Sequence, residues 1–246
     1  MIKKKAKEVK GELIFGIHPI VELLKAKRRK LISVYTTKPT PHSFYEIERL
    51  WPKYPVPIQY VTREVLDRMV GSTDHQGVVA WTQAFPYRKT FFDPKKHTFL
   101  VMLDGIQDPR NLGALLRSAY CTGVDGAIII KKGGAQLTAV AIKSSAGLSE
   151  HLEIYAAQSA ASAVIDLKNA GYNIYLATFD GQNAVTCEYQ SPLCAVIGGE
   201  STGISKIILS SGTHVTLPQK TNDISYNASV AGGILLFLIS MQKSKI

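Results

Sequence analysis

Cysteine is scarce in this chain. Its three copies, Cys121, Cys187 and Cys194, are odd in number, and none stands in a CxxC pair or at metal-ligand spacing. That excludes a disulfide framework and a zinc site, and it predicts a protein without metal working in a reducing, cytoplasmic setting. Long apolar runs are also missing. The longest, AGGILLFLI from Ala231 to Ile239, falls well short of the ~20 residues that cross a bilayer. The basic start is followed by GELIFGI, too short and too interrupted for the apolar region of a signal peptide. Acidic residues are few beside basic ones: 19 Asp and Glu against 29 Lys and Arg, a net charge of +10 in 246 residues. An excess of that size points to a polyanionic partner such as nucleic acid. The first thirty residues hold ten Lys and Arg against three Glu, a net +7, which reads either as a solvated tail and helix end or as a patch that tracks phosphates.

What is present falls into two regimes. Between Glu12 and Phe85 short signals alternate: GIHPIVELLKA as an amphipathic helix, LISVYTT as a strand, SFYEIERLW as a helix, VPIQYVT as a strand, TREVLDRMVG as a helix and GVVAWTQAF as a strand. This predicts a small α/β unit over residues 12–85 after a basic tail, 1–11. PYRKTFFDPKKHT then brings two prolines and four Lys or Arg without periodicity, and residues 86–97 read as a linker. Over 98–246 apolar strands alternate with helices. FLVMLDG, GAIIIKK, LEIYAA, NIYLATF, LCAVIGG and HVTLP are separated by LTAVAIKSSAG, SAASAVIDLKNAG and NASVAGGILLFLISMQK. Strands apolar on both faces and joined by helices predict a parallel sheet covered on both sides. Such sheets bind ligands where their strands end, so the chemistry is expected in LDGIQDPRN, ATFDGQ, IGGESTG and LPQKTNDISYN.

In DPRNLGALLRSAYCTGV, Asn111 can cap the following helix, and Leu112, Leu115, Leu116 and Ala119 form a core stripe that Gly123 ends. Arg117 flanks that stripe instead of opposing it, so it reads either as a side chain snorkelling toward a carboxylate or as a functional cation. IGGESTGIS presents Glu200 from a glycine-rich turn that matches neither dinucleotide nor P-loop patterns. Ser225, Tyr226, Asn227 and Ser229 crowd one helix start, where they serve as caps or line a polar pocket.

Three segments, LDGIQDPRNLGALLRSA, AVIGGESTGIS and LPQKTNDISYNASVAGGILLF, resemble in order and spacing the three motifs of the SpoU/TrmH (SPOUT-class) RNA 2'-O-ribose methyltransferases. GIHPIVELL and DHQGVVA further resemble the two-domain members that methylate a guanosine in large-subunit (23S) ribosomal RNA. The resemblance implies a parallel α/β sheet with a C-terminal trefoil knot, preceded by a ribosomal-protein-like RNA-binding domain. It implies a homodimer acting on RNA, not DNA or a membrane. It implies that S-adenosyl-L-methionine is held by the backbone around Gly198, Leu217 and Tyr226, with Thr178 closing the adenine side. Arg117 then meets the target ribose and its phosphate, Glu200 holds Arg117 or the ribose, Asn227 and Ser225 order the third motif and the cofactor, and Asn111 orders the first. The chain departs from the family at Lys220, Thr221 and Asn222, where a glycine is common, and at Tyr226, where leucine is usual. Two rival readings are a tRNA or antibiotic-resistance enzyme of the same family and a non-catalytic RNA-binding or ribosome-assembly factor, which would need none of Asn111, Arg117, Glu200, Ser225 and Asn227.

Overall fold

A computed structural model describes residues 11–220 and 225–246. The tail that carries most of the N-terminal charge, and the departures at Thr221 and Asn222, lie outside the described residues. The chain divides into two compact units between Pro86 and Tyr87. Among the described residues no helix is long and apolar enough to cross a membrane.

The first unit runs β1 (Glu12–Phe15), α1 (Ile17–Ala26), β2 (Leu31–Thr36), α2 (Tyr45–Glu48), β3 (Ile58–Tyr60), α3 (Arg63–Val70) and β4 (Val78–Thr82), with sheet order β1-β4-β2-β3. Strand β1 was not expected, and the helix expected over SFYEIERLW shrinks to one 3-10 turn and one α turn. The two N-terminal motifs turn out to hold each other. The side chain of Gln76, itself at φ 54°, accepts a hydrogen bond from the Ile17 amide at 3.1 Å. Gly16 N–H donates to Val78 O at 3.0 Å. His75 is fully buried; its Nδ1 accepts from Gly77 N–H at 2.9 Å, which leaves Nε2 as the donor to Asp67, 2.7 Å away. Part of the N-terminal charge is also internal. Arg29 is buried, pairs with Glu12 at 2.8 Å, donates to Gln83 O and lies over the Phe85 ring.

The second unit runs β5 (Phe99–Asp104), α4 (Pro109–Cys121), β6 (Gly126–Ile130), α5 (Ala139–Ser144), β7 (Glu153–Ala157), α6 (Ala160–Asn169), β8 (Asn173–Asn183), β9 (Leu193–Gly198), β10 (Thr213–Thr216) and α7 (Ala228–Gln242). All six expected strands form one sheet, in the order β10-β8-β9-β5-β6-β7, and every pairing in it is parallel. Strands β5 and β6 are buried at every residue, as their unbroken apolar runs require. From β5 the chain winds outward to β7, then crosses to the other side for β8, β9 and β10, so the switch point lies between β5 and β9.

Three expectations change here. Asp108, not Asn111, caps α4: its carboxylate accepts from Arg110 N–H at 2.8 Å, with Pro109 in the first helical position. ATFDGQ does not leave the fourth strand as a loop; it is a bulge inside it. Against β10, His214 pairs with Leu176 and Val215 with Gln182, so residues 177–181 are pushed out of the ladder. Gly181 permits this, because a Cβ there would lie 2.5 Å from the His214 carbonyl carbon.

The third concerns the segment expected as a linker, which is a strap on the second unit. Phe92 is buried in that unit's main core cluster, beside Leu100, Ile128 and Leu167. Arg88 bonds Glu153 and lies 4.6 Å from the Phe92 ring centre. Phe91 meets Tyr155 and Tyr172 edge to face. Two cysteines, Cys187 and Cys194, are buried, and burial raises both thiols. If the strap is part of the core, Phe92→Ala costs about 3 to 5 kcal/mol in denaturant-unfolding free energy; a passive linker would lose nothing measurable.

Candidate functional site

At the C-terminal edge of the sheet, on the β8-β9-β10 side of the switch point, lies a pocket of about 500 Å³. Three chain segments wall it. The β8 bulge contributes Ala177 to Asp180, the turn after β9 contributes Gly198 to Ile204, and the segment between β10 and α7 contributes Leu217, Gln219, Ser225 and Tyr226. The floor is apolar, with Ile197, Val215 and Leu235. The structure thus brings Thr178, Gly198, Glu200, Leu217, Ser225 and Tyr226 around one cavity.

Asn111, Arg117 and Asn227 are not in its lining. Asn111 touches it indirectly, because its side-chain amide donates to the Glu200 carboxylate across 89 residues of chain. Glu200 is therefore held by Asn111 and not by Arg117. Asn227 caps α7, accepting from Ser229 N–H at 2.9 Å, from the Ser229 hydroxyl at 2.6 Å and from Val230 N–H at 3.4 Å. Arg117 sits on α4 six residues beyond Asn111, about 9 Å along the axis at 1.5 Å per residue. It is exposed and pairs with no carboxylate among the described residues.

The turn that carries Glu200 is built from close backbone approaches. A Cβ on Gly198 would lie 2.3 Å from the Gly203 carbonyl carbon, and one on Gly199 would lie 2.2 Å from Gly105 O. Gly203, at φ 61°, closes the turn with N–H to Gly199 O at 2.9 Å. One residue that sequence reading missed anchors it. Asp104 ends β5, is 2% exposed, and accepts from Ser205 N–H at 2.7 Å and from the Ser205 hydroxyl at 2.9 Å. Its signal was available: an acid closing an otherwise apolar strand is costly to bury without donors. The Glu200 turn is thereby tethered on both sides, through Asp104 to β5 and through Asn111 to α4.

A donor set for a metal is absent: no group of three His, Cys, Asp or Glu fit to hold an ion occurs among the described residues. What the pocket offers is an apolar floor, backbone from the β8 bulge and from the ends of β9 and β10, several hydroxyls and the tethered Glu200 carboxylate. That is the lining of an organic cofactor site.

Residues 98–237 match the model of the SpoU rRNA methylase family, and residues 13–88 match that of an RNA 2'-O ribose methyltransferase substrate-binding domain. The chain is 33% identical to a 23S rRNA (guanosine-2'-O-)-methyltransferase of Shewanella oneidensis over 93% of its length and 96% of the relative's. It is 32% identical to the corresponding Haemophilus influenzae enzyme, covering 95% and 98%. A solved RNA 2'-O ribose methyltransferase superposes with a TM-score of 0.82 at 21% identity, covering 96% of this chain and 90% of that one. The SpoU methyltransferase AviRb of Streptomyces viridochromogenes, solved with AdoMet, does so with 0.77 at 19%, covering 96% and 91%.

The tether predicts a local effect. Asp104→Ala leaves the Ser205 N–H and hydroxyl without their acceptor, at a cost of about 1 to 3 kcal/mol. Hydrogen exchange at residues 199–205 should accelerate more than exchange in β6; equal protection in variant and wild type would mean that something else holds the turn.

Proposed function

The chain belongs to the SpoU rRNA methylase family, and from that premise we propose that the pocket beside Glu200 binds S-adenosyl-L-methionine for methylation of a ribose 2'-hydroxyl in RNA, a guanosine of 23S ribosomal RNA. The observation that carries this reading is the convergence of Thr178, Gly198, Leu217, Ser225 and Tyr226 on one cavity with Glu200 at its rim. The cavity fits the cofactor in size and in chemistry, with apolar walls for a purine and strand-end backbone groups for its polar atoms. When bound, the cofactor supplies an electrophilic methyl group on a sulfonium.

This chain's residues supply the rest. Gly198 and Leu217 present backbone at the ends of β9 and β10, and Thr178 closes the adenine side from the bulge. Asn227, by capping α7, fixes the position of Ser225 and Tyr226 two and one residues before it. Asn111 aims Glu200 at the acceptor side of the pocket. Arg117 binds the phosphate next to the target ribose and stabilises charge growing on the 2'-oxygen. A guanidinium is a poor proton acceptor, so orientation and charge are its contribution.

Arg117 reaches a pocket in the proposed homodimer, each copy completing its partner's site. Supporting this is an apolar stripe on α7: Val230, Ile234, Phe237 and Met241, spaced 4, 3 and 4 residues apart and 37 to 55% exposed. Helix α4 abuts α7 so closely that a Cβ on Gly232 would fall 2.3 Å from a Leu115 methyl. One layer thus carries both the stripe and Arg117. The approach of residues 177–180, of residues 198–204 and of Leu217, Gln219, Ser225 and Tyr226 around one cavity supports the knotted topology. Residues 12–85 are proposed as the RNA-binding unit of a cytoplasmic enzyme.

Arg117→Ala should lower kcat for methyl transfer by at least about 100-fold while changing the Kd for S-adenosyl-L-methionine by less than twofold, measured by single-turnover kinetics and calorimetry. Full activity in the variant would remove Arg117 from the mechanism. Ile234→Glu with Phe237→Glu should give a folded monomer by sedimentation, with activity lost; an active monomer would end the shared-site proposal.

A further inference from the structure

The cofactor pocket occupies only half of the sheet's C-terminal edge. It is lined from the β8 bulge and the ends of β9 and β10, whereas the ends of β5 and β6 lie on the other side of the Glu200 turn. That second half carries Arg110 on α4 and Lys131 and Lys132 after β6, all exposed. None of the three has a carboxylate partner among the described residues. The carboxylates of this edge are engaged elsewhere: Asp104 accepts from Ser205, Asp108 from the Arg110 amide and Glu200 from Asn111. No acidic residue occurs anywhere between Asp125 and Glu150.

The loop bearing the two lysines is built, not loose. The Gln136 side-chain amide donates to Lys131 O at 3.2 Å and to Gly134 O at 3.1 Å, folding residues 131–136 onto themselves. Ala135 N–H donates to Ile106 O at 2.7 Å, which fastens this loop to the turn that leads from β5 into α4. The Lys131 amide is taken by Ala157 O at 2.9 Å. Two cations are therefore presented from a closed loop fixed to the turn between β5 and α4, and among the described residues no carboxylate pairs with them.

We infer that Arg110, Lys131 and Lys132 form the track along which the RNA backbone crosses the catalytic unit, entering over the ends of β5 and β6 toward Glu200. The inference rests on the methyltransferase reading and adds the path of the substrate to it. In-line transfer requires the acceptor oxygen to approach the methyl group from the side away from the sulfur. The donor's pocket lies on one flank of the Glu200 turn, and the uncompensated cations lie on the other. Lysines facing phosphates set affinity and register without reading sequence.

The test is a Lys131→Ala, Lys132→Ala double variant assayed on 23S rRNA lacking its ribose methylation, beside a charge-matched Lys95→Ala, Lys168→Ala control elsewhere on the same unit. The KM for RNA should rise about tenfold, and the slope of log binding constant against log salt should shrink by about 1.5, near the value for two lost phosphate contacts. The value of kcat should stay within twofold and S-adenosyl-L-methionine affinity should be unchanged. An unchanged KM and slope, or an equal change in the control, overturns the inference while leaving the activity intact. Wild-type protein that neither binds nor methylates the RNA overturns both.

Discussion

At the C-terminal ends of β5 and β9 two stretches of backbone lie so close that no side chain fits between them. Gly199 sits against the Gly105 carbonyl, Gly198 against Gly203, and the register sets Asp104 opposite Gly198. This contact falls at the switch point of the sheet, where the chain's two windings part. Asp104 then binds Ser205 and closes the turn. From that lock the Glu200 turn takes its place, and the lysine loop is fastened to its neighbour through Ala135 N–H and Ile106 O. Glycine is required here for closeness, and the buried acid because the turn's own N–H and hydroxyl need an acceptor that water cannot supply.

The lock also divides labour along the sheet edge. One side is apolar, with backbone groups and hydroxyls around a cavity of cofactor size; the other is cationic. Glu200 stands between them, tethered to Asn111.

Much of this was legible in the sequence, and the reasons for the rest are specific. Strands β5, β6 and β9 announced themselves because burial on both faces leaves an unbroken apolar run. The β8 bulge did not, because Thr178, Phe179, Asp180 and Gly181 have the composition of a loop although Gln182 and Asn183 rejoin the ladder. In DPRN the cap is Asp108 and not the expected Asn111, because the proline occupies the first helical position and puts the helix start there. The prolines and charges of 86–97 concealed Phe91 and Phe92, the aromatics that fix the strap to the core. For the site, resemblance singled out six of the residues that line the pocket, while the bond between Asn111 and Glu200 is visible only in the fold. Arg117 stands out in the sequence because it flanks the apolar stripe of α4, and no carboxylate among the described residues pairs with it.

The central claim is that this pocket serves ribose methylation of ribosomal RNA. The most direct measurement is incubation of the protein with S-adenosyl-L-methionine labelled in its methyl group and 23S rRNA lacking ribose methylation, followed by alkaline hydrolysis and mapping of the label. The account predicts label in one alkali-resistant dinucleotide whose 5' residue is guanosine, since a methylated 2'-oxygen cannot assist cleavage of the adjacent phosphate. Label on a base, or no transfer to RNA by protein that binds the cofactor, would contradict it.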